Sequence, residues 1–309
     1  MIEMPPIEQH PQGKNGPGRR VPGPSLHNWR EYDTVGTMSK GARQPAETNE
    51  AWEAVLESLC RLQTVLPDAV LVGGTASALY AGHRHSFDHD HVLPDLRGRF
   101  DTVLEQLESI CGWETARIRR PVLILGSLDG VETGVRQLRR TQPLETTVMR
   151  VGEHDATLPT LPEVLRIKAF LCLDRNATRD YLDLAALAAH MGIEAAGQAL
   201  WRMDELYPQK NGDTWAVRTQ LIMQLAAPPP YDLDRVNLAE YKGVKPPFDQ
   251  WSHVVAVCGD LSDWLLNACE HALATDASAE LAKARIDAWR DAKAAGNTPP
   301  LGKLPGLKS

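Results

Sequence analysis

Residues 71–93, LVGGTASALYAGHRHSFDHDHVL, decide how this chain folds. The apolar run entering them, DAVLVGG (68–74), reads as a buried strand that ends in a tight Gly-Gly turn. TASALYAG then reads as a short helix. SFDHDHVLP (86–94) alternates with the period of a strand, so Phe87, His89 and His91 share one side while Asp88 and Asp90 share the other. Gly73 and Gly74 carry no side chain, which lets backbone N–H groups approach a phosphate closely. Two carboxylates on one strand face offer the oxygen ligands that a hard divalent cation such as Mg²⁺ takes when it bridges a nucleotide's phosphates.

Outward from this stretch the periodicities change in a regular order. Trp52, Val55, Leu56, Leu59 and Leu62 recur at helical spacing, predicting a helix over 51–66. Residues 96–110 read as another helix. WETARI, PVLILGSL, VETGVRQL and ETTVMRV, within 113–151, read as strands. Pro162 suits a first helical turn ahead of EVLRIKAFLCL, Asn176 is placed to cap ATRDYLDLAALAAH, and a further helix spans 193–207. After Pro228-Pro229-Pro230 an extended connection leads to a helix with Trp251, Val254, Cys258, Leu261, Leu265 and Ala268 along one seam, which needs a partner helix within the chain. The expected domains are a flexible arm at 1–46 with seven prolines, a catalytic core at 47–155, a helical domain at 156–227 closing the cleft, and a linker with a helical region at 228–309.

The chain has 309 residues and a net charge of -7, which argues against nonspecific coating of nucleic acid. Five scattered cysteines without a CxxC pair argue against a disulfide framework or a cysteine-built zinc site, and a cytoplasmic location is expected. No apolar run reaches membrane-spanning length and no signal peptide is evident at the start. P-loop, Rossmann and GxSxG patterns are absent, which weakens kinase, dehydrogenase and serine-hydrolase readings.

Gly73, Gly74, Asp88 and Asp90, with thirteen residues between Gly74 and Asp88, resemble the signature of the DNA polymerase β nucleotidyltransferase superfamily. GGTASALY…HRHSFDHDH is more specifically similar to the AbiEii/AbiGii group, the toxins of type IV toxin–antitoxin and phage-defence systems. Arg84 and Ser86 stand where that group has its arginine and serine. Lys168, followed by Arg179-Asp180-Tyr181-Leu182-Asp183-Leu184, resembles its helical lysine and downstream Arg/Lys-Asp-x-x-Asp-Leu motif. The resemblance covers residues 68–190. It implies an α+β fold, with a nucleotidyltransferase-type mixed sheet, flanking helices and a mainly helical C-terminal region. It also implies transfer of an NMP from an NTP to an acceptor hydroxyl. Asp88 and Asp90 would hold one or two Mg²⁺ ions. Gly73, Gly74, Thr75, Arg84, Ser86 and Lys168 would bind the nucleotide. Asp180 would order Lys168 or act near the nucleophile. The implied acceptor is RNA, such as tRNA, and the implied partner an antitoxin. The superfamily's third carboxylate has only Glu132 and Glu145 as candidates, neither in a clear acid motif.

Rival readings rest on the same residues. A degenerate fold that binds nucleotide without turnover would account for the weak third carboxylate. His83, His85, His89 and His91 beside the aspartates invite a His/Asp metallohydrolase, which the strand alternation opposes. Lys168 has Val164, Leu165, Leu171 and Cys172 as helical neighbours, so a snorkelling lysine is its bland reading. Arg179 and Asp183, at i and i+4, suit an ordinary surface pair. Residues 117–150 hold seven arginines (Arg117, Arg119, Arg120, Arg136, Arg139, Arg140 and Arg150) against Asp129, Glu132 and Glu145. That stretch could rim the cleft and position a polyanionic acceptor, or merely pair with the acidic remainder of the chain.

Overall fold

The computed structural model describes residues 45–207, 215–274 and 279–296. The expected arm, apart from its last two residues, and the tail after Gly296 lie outside these. The described residues belong to one compact unit.

Helix α1 (Pro45–Val65) leads into strand β1 (Val70–Val72), and α2 (Gly73–Ala81) starts at once on the Gly-Gly pair. Strand β2 (Asp88–Leu93) follows, then a short 3-10 turn and α3 (Phe100–Glu108) in place of one continuous helix over 96–110. Strands β3 (Trp113–Arg119), β4 (Leu123–Leu128) and β5 (Val131–Gln137) complete a five-stranded sheet in the order β1-β2-β5-β4-β3. Only the β2–β5 pairing is parallel, so the sheet is mixed, and the α+β class is as expected.

Strand β6 (Thr146–Val151) does not join that sheet. It pairs with β7 (His154–Pro159), a strand not foreseen, in a separate hairpin. One face of the main sheet packs on α1 and α3 through Leu62, Leu66, Phe100, Val103 and Leu107, with Leu93, Ile124, Leu128 and Val135 from the strands. Burial of these apolar side chains, at ~1.5–3 kcal/mol each, holds the helices on that face.

The rest of the chain is helical: α4 (Leu161–Asp174), α5 (Thr178–Met191), α6 (Ile193–Trp201), α7 (Met203–Leu206), α8 (Val217–Ala226), α9 (Trp251–Ala274) and α10 (Ala279–Ala294). Pro162 lies in the first turn of α4 as expected. The helix expected at 193–207 is broken at Arg202. Asn176 does not cap α5. It adopts a left-handed φ of 57° and turns its amide to Pro229 O, while Asp232, from beyond the proline run, accepts from the N–H and hydroxyl of Thr178 at 2.7 Å each. The seam of α9 finds its partners within the chain: Val254, Cys258, Leu261 and Leu265 are buried against α5, α6 and α8. This larger core also takes in Leu59, Leu71 and Ala76, so α1, which gives Leu62 and Leu66 to the other core, is packed on two sides.

Candidate active site

The alternation of β2 is realised. His89 and His91 are buried on the α1/α3 side, and Asp88 and Asp90 lie half-exposed on the opposite face. His89 is held between Ser58 Oγ and Thr133 Oγ1, both at 2.9 Å, and its burial pushes its pKa down to about 4. His91 is fully buried against the His89 ring, and neither of its ring nitrogens meets a hydrogen-bond partner. Burial, then the neighbouring His89, holds it well below the ordinary histidine value. Both imidazoles are therefore neutral core groups pointing away from the aspartates, and a metal site shared by His89 or His91 with Asp88 and Asp90 is not formed.

The carboxylate face is open where glycines flank it. A Cβ on Gly73 would come within 3.4 Å of Asp90 Oδ2, and one on Gly134, across on β5, within 3.4 Å of Asp90 Oδ1. Gly73 has a φ of +79°, which a side chain would strain. Gly74 is kept bare by a different pressure: a Cβ there would lie 2.5 Å from Arg84 Nη2 and 3.0 Å from Ser86 Oγ. The first turn of α2 begins on these glycines with no side-chain cap, so its leading N–H groups lack intrahelical acceptors. The Thr75 hydroxyl donates to the backbone carbonyl of Asp88, which ties α2 to β2 and leaves only the backbone of Thr75 for a phosphate.

Asp88 accepts from Ser86 Oγ at 2.8 Å and faces Lys242 Nζ at 3.5 Å. Burial works to raise its pKa, but Lys242, the Ser86 hydrogen bond, Arg84 and Arg179 outweigh it and hold the carboxylate below its ordinary value. Asp90 faces Arg136 Nε at 3.4 Å. Glu132 pairs in register with Asp88 on the neighbouring parallel strand and is exposed. Glu145 is drawn elsewhere, to Arg166 and Arg202. Of the two candidate third acids, only Glu132 thus shares the aspartates' face. Among the described residues no three His, Cys, Asp or Glu side chains are gathered as a metal cluster. The donor set is two carboxylates on one half-exposed face, which fits Mg²⁺: that ion binds through one or two carboxylates and fills its remaining positions with water and phosphate oxygens.

Behind this face lies a buried charge network. Asp183, fully buried, accepts from Arg84 Nε at 2.7 Å and Nη2 at 2.9 Å, meets His83 Nε2 at 2.8 Å, and pairs with Lys168 Nζ at 2.7 Å. Asp180, also fully buried, accepts from Arg175 Nε at 2.7 Å and lies 3.8 Å from Lys168 Nζ. Asp183 is therefore no surface partner of Arg179, and Asp180 is not free of pairing. Lys168 is neither snorkelling nor at the cleft surface: it is 2% exposed and held between two carboxylates. Burial opposes ionisation of Asp183, yet Arg84, Lys168 and His83 together hold it well below the ordinary carboxylate range. Arg84 and Ser86 thus serve as the link between this network and Asp88.

Of the seven arginines in 117–150, Arg136 has an ion pair to Asp90. Arg120 pairs with Asp101, Arg139 with Asp174, Arg140 with Glu163 and Arg150 with Asp155. These four arginines are paired with acids on several elements. Sequence reading gives no site role to Arg175 or Lys242; it names Asp183 only within the downstream motif and as a surface partner, and His83 only in the metallohydrolase reading. For Lys242 the only sequence signal was a Lys-Gly turn inside an apparent connector.

No protein-family model matches the chain. It is 41% identical over 207 residues to the heme uptake protein MmpL11 of Mycobacterium tuberculosis, a match covering 58% of this chain and 20% of that protein. It is 33% identical over 109 residues to the mycolic acid-containing lipids exporter MmpL11 of Mycolicibacterium smegmatis, covering 35% of this chain and 11% of that protein. The chain thus spans a fifth or less of the curated relatives it matches, and their transport activities are not carried over. Among the described residues no helix is long and apolar enough to cross a membrane. A solved protein from H. pylori, described as a candidate nucleotidyltransferase, aligns at a TM-score of 0.41 and 14% identity over 74% of this chain and 98% of that one. A likeness this loose assigns neither fold nor activity.

Proposed function

We propose that the chain is a Mg²⁺-dependent nucleotidyltransferase that moves an NMP from an NTP to an acceptor hydroxyl. The observation carrying this reading is the placement of Asp88 and Asp90 on one open strand face, flanked by Gly73 and Gly134 and beside the uncapped start of α2. Asp88 and Asp90 would hold one or two ions, which when bound neutralise triphosphate charge and lower the pKa of the attacking hydroxyl. The backbone N–H groups of Gly73, Gly74 and Thr75 would receive phosphate oxygens. Arg84 and Lys168 act from beneath as fixed positive charge, and Asp180 and Asp183 keep them in place. The acceptor oxygen attacks the α-phosphorus, the α–β phosphoanhydride bond breaks, pyrophosphate leaves, and the hydroxyl proton passes to solvent.

The motif resemblance supports the finer reading: an AbiEii-type toxin, cytoplasmic, acting on RNA such as tRNA and restrained by an antitoxin. A second reading, nucleotide binding without turnover, is favoured by the lack of a three-carboxylate cluster among the described residues.

The test is incubation of purified protein with Mg²⁺, total RNA and each NTP labelled on the α-phosphorus. Label in RNA with release of pyrophosphate, abolished by Asp88→Asn or Asp90→Asn at unchanged melting temperature, is the expected result. Nucleotide binding with no labelled product selects the second reading. Wild-type turnover in either variant removes the first.

A further inference from the structure

The segment from Asn237 to Phe248, a connector by sequence, runs back across the loop that leads into β2. Two backbone hydrogen bonds fasten it there: His85 N–H to Lys242 O at 3.0 Å, and Lys245 N–H to His83 O at 2.8 Å. The Arg84 guanidinium lies 5.9 Å from the centre of the Tyr241 ring, and Phe248 packs edge-on to His83 at 6.1 Å. Between these ties the chain turns on Lys242 and Gly243, with φ of 47° and 65°. Glycine adopts that conformation without strain, but a lysine does not, because its Cβ crowds the following carbonyl. The turn sends the Lys242 side chain past the Phe87 ring, 6.0 Å away, to Asp88 Oδ1 at 3.5 Å.

Two comparisons give this contact its meaning. The Lys242 side chain is 29% exposed, beside Asp88, whereas that of Lys168 is 2% exposed and its ammonium stands 2.7 Å from Asp183. The Lys242–Asp88 separation is also longer than a charge-assisted hydrogen bond of ~2.7–2.9 Å, and the Ser86 hydroxyl already donates to the same oxygen at 2.8 Å. An ammonium has three donors, so Lys242 stands beside the carboxylate face with donors to give a second anion. We propose that Lys242 is the ammonium ligand of the nucleotide's phosphates, carried to the cleft by the 237–248 strap. The proposal rests on the nucleotidyltransferase reading and deepens it. It moves direct phosphate contact from the buried Lys168 to a residue outside the motif-bearing stretch.

The test is calorimetric titration, with Mg²⁺ present, of each NTP and of inorganic tripolyphosphate into the wild type, Lys242→Asn and Lys242→Arg. Asparagine suits the left-handed backbone and removes the cation with most of its stem. Lys242→Asn should weaken the best-bound NTP and tripolyphosphate alike by roughly tenfold, the order expected for one charge-assisted hydrogen bond. Its melting temperature should be unchanged, and Lys242→Arg should recover most of the affinity. Wild-type affinity in Lys242→Asn overturns the proposal and leaves the nucleotidyltransferase reading standing. So does a loss that arginine does not rescue and that comes with a lowered melting temperature, which would make the strap purely structural. Failure of the wild type itself to bind any NTP removes the underlying reading and the proposal with it.

Discussion

Asp183→Asn separates two accounts of the same residue by about tenfold in free energy. As an exposed i, i+4 partner of Arg179, Asp183 would contribute only ~0.3–0.5 kcal/mol. In the structure it is fully buried and takes two bonds from Arg84, one from His83 and an ion pair from Lys168. The buried network sets Arg84, Lys168 and Arg175 against Asp180 and Asp183, a balance of +1 that the substitution raises to +2. Removing one partner of a buried pair costs ~3–5 kcal/mol, because the other charge stays buried without compensation. At ~2–4 °C for each kcal/mol, the melting temperature should fall by ~6–20 °C. Asp183 is held well below the ordinary carboxylate range when folded, so its contribution is complete above the unfolded pKa and lost only as pH falls towards the folded one. Urea unfolding at pH 7.5 therefore reads the whole effect. Lys168→Met in the Asp183→Asn background should be less damaging than in the wild type, with a coupling of ~1–3 kcal/mol. A loss for Asp183→Asn within ~0.5 kcal/mol, the range of surface changes, refutes the buried network.

His91→Leu should stabilise the fold by ~1–2 kcal/mol at pH 7, since it removes a buried imidazole whose two nitrogens meet no partner. The gain should widen below pH 6.5, where the unfolded histidine binds a proton that the folded one refuses. Chemical denaturation across pH 5–7.5 checks this, and a destabilised variant would mean the ring nitrogens are satisfied. Charge reversal should split neighbouring arginines. Arg140→Glu sets a carboxylate against the buried Glu163 and should destabilise by ~3 kcal/mol or more. Arg139→Glu, on a half-exposed pair with Asp174, should cost ~1 kcal/mol or less. Equal losses in thermal melts would contradict this placement. A double charge reversal at 139 and 140 therefore reports on folding before it reports on any acceptor.

What the sequence determined by itself is whatever a local period encodes. Alternation over 86–94 was enough to divide Asp88 and Asp90 from His89 and His91, because successive side chains of any strand point to opposite faces. The three- and four-residue steps of α9 marked its buried seam in the same way, and Pro162 marked the start of α4. The α+β class came with the motif resemblance, and the order of these periods agrees with it. Tertiary structure alone decided which carboxylates are buried and what holds them. The spacing of Arg179 and Asp183 is identical on a solvated helix and on one pressed into a core, so nothing local reveals that Asp183 is claimed by Arg84 from 99 positions away. Asn176 and Asp232 are equally plausible caps by residue type, and only the path of the chain after the prolines brings Asp232, 54 positions on, to Thr178. Lys242 reaches Asp88 across 154 positions. A charge binds whichever opposite charge the packed elements bring within a few ångströms, and that choice is settled by how helices and strands meet rather than by the pattern within any one of them.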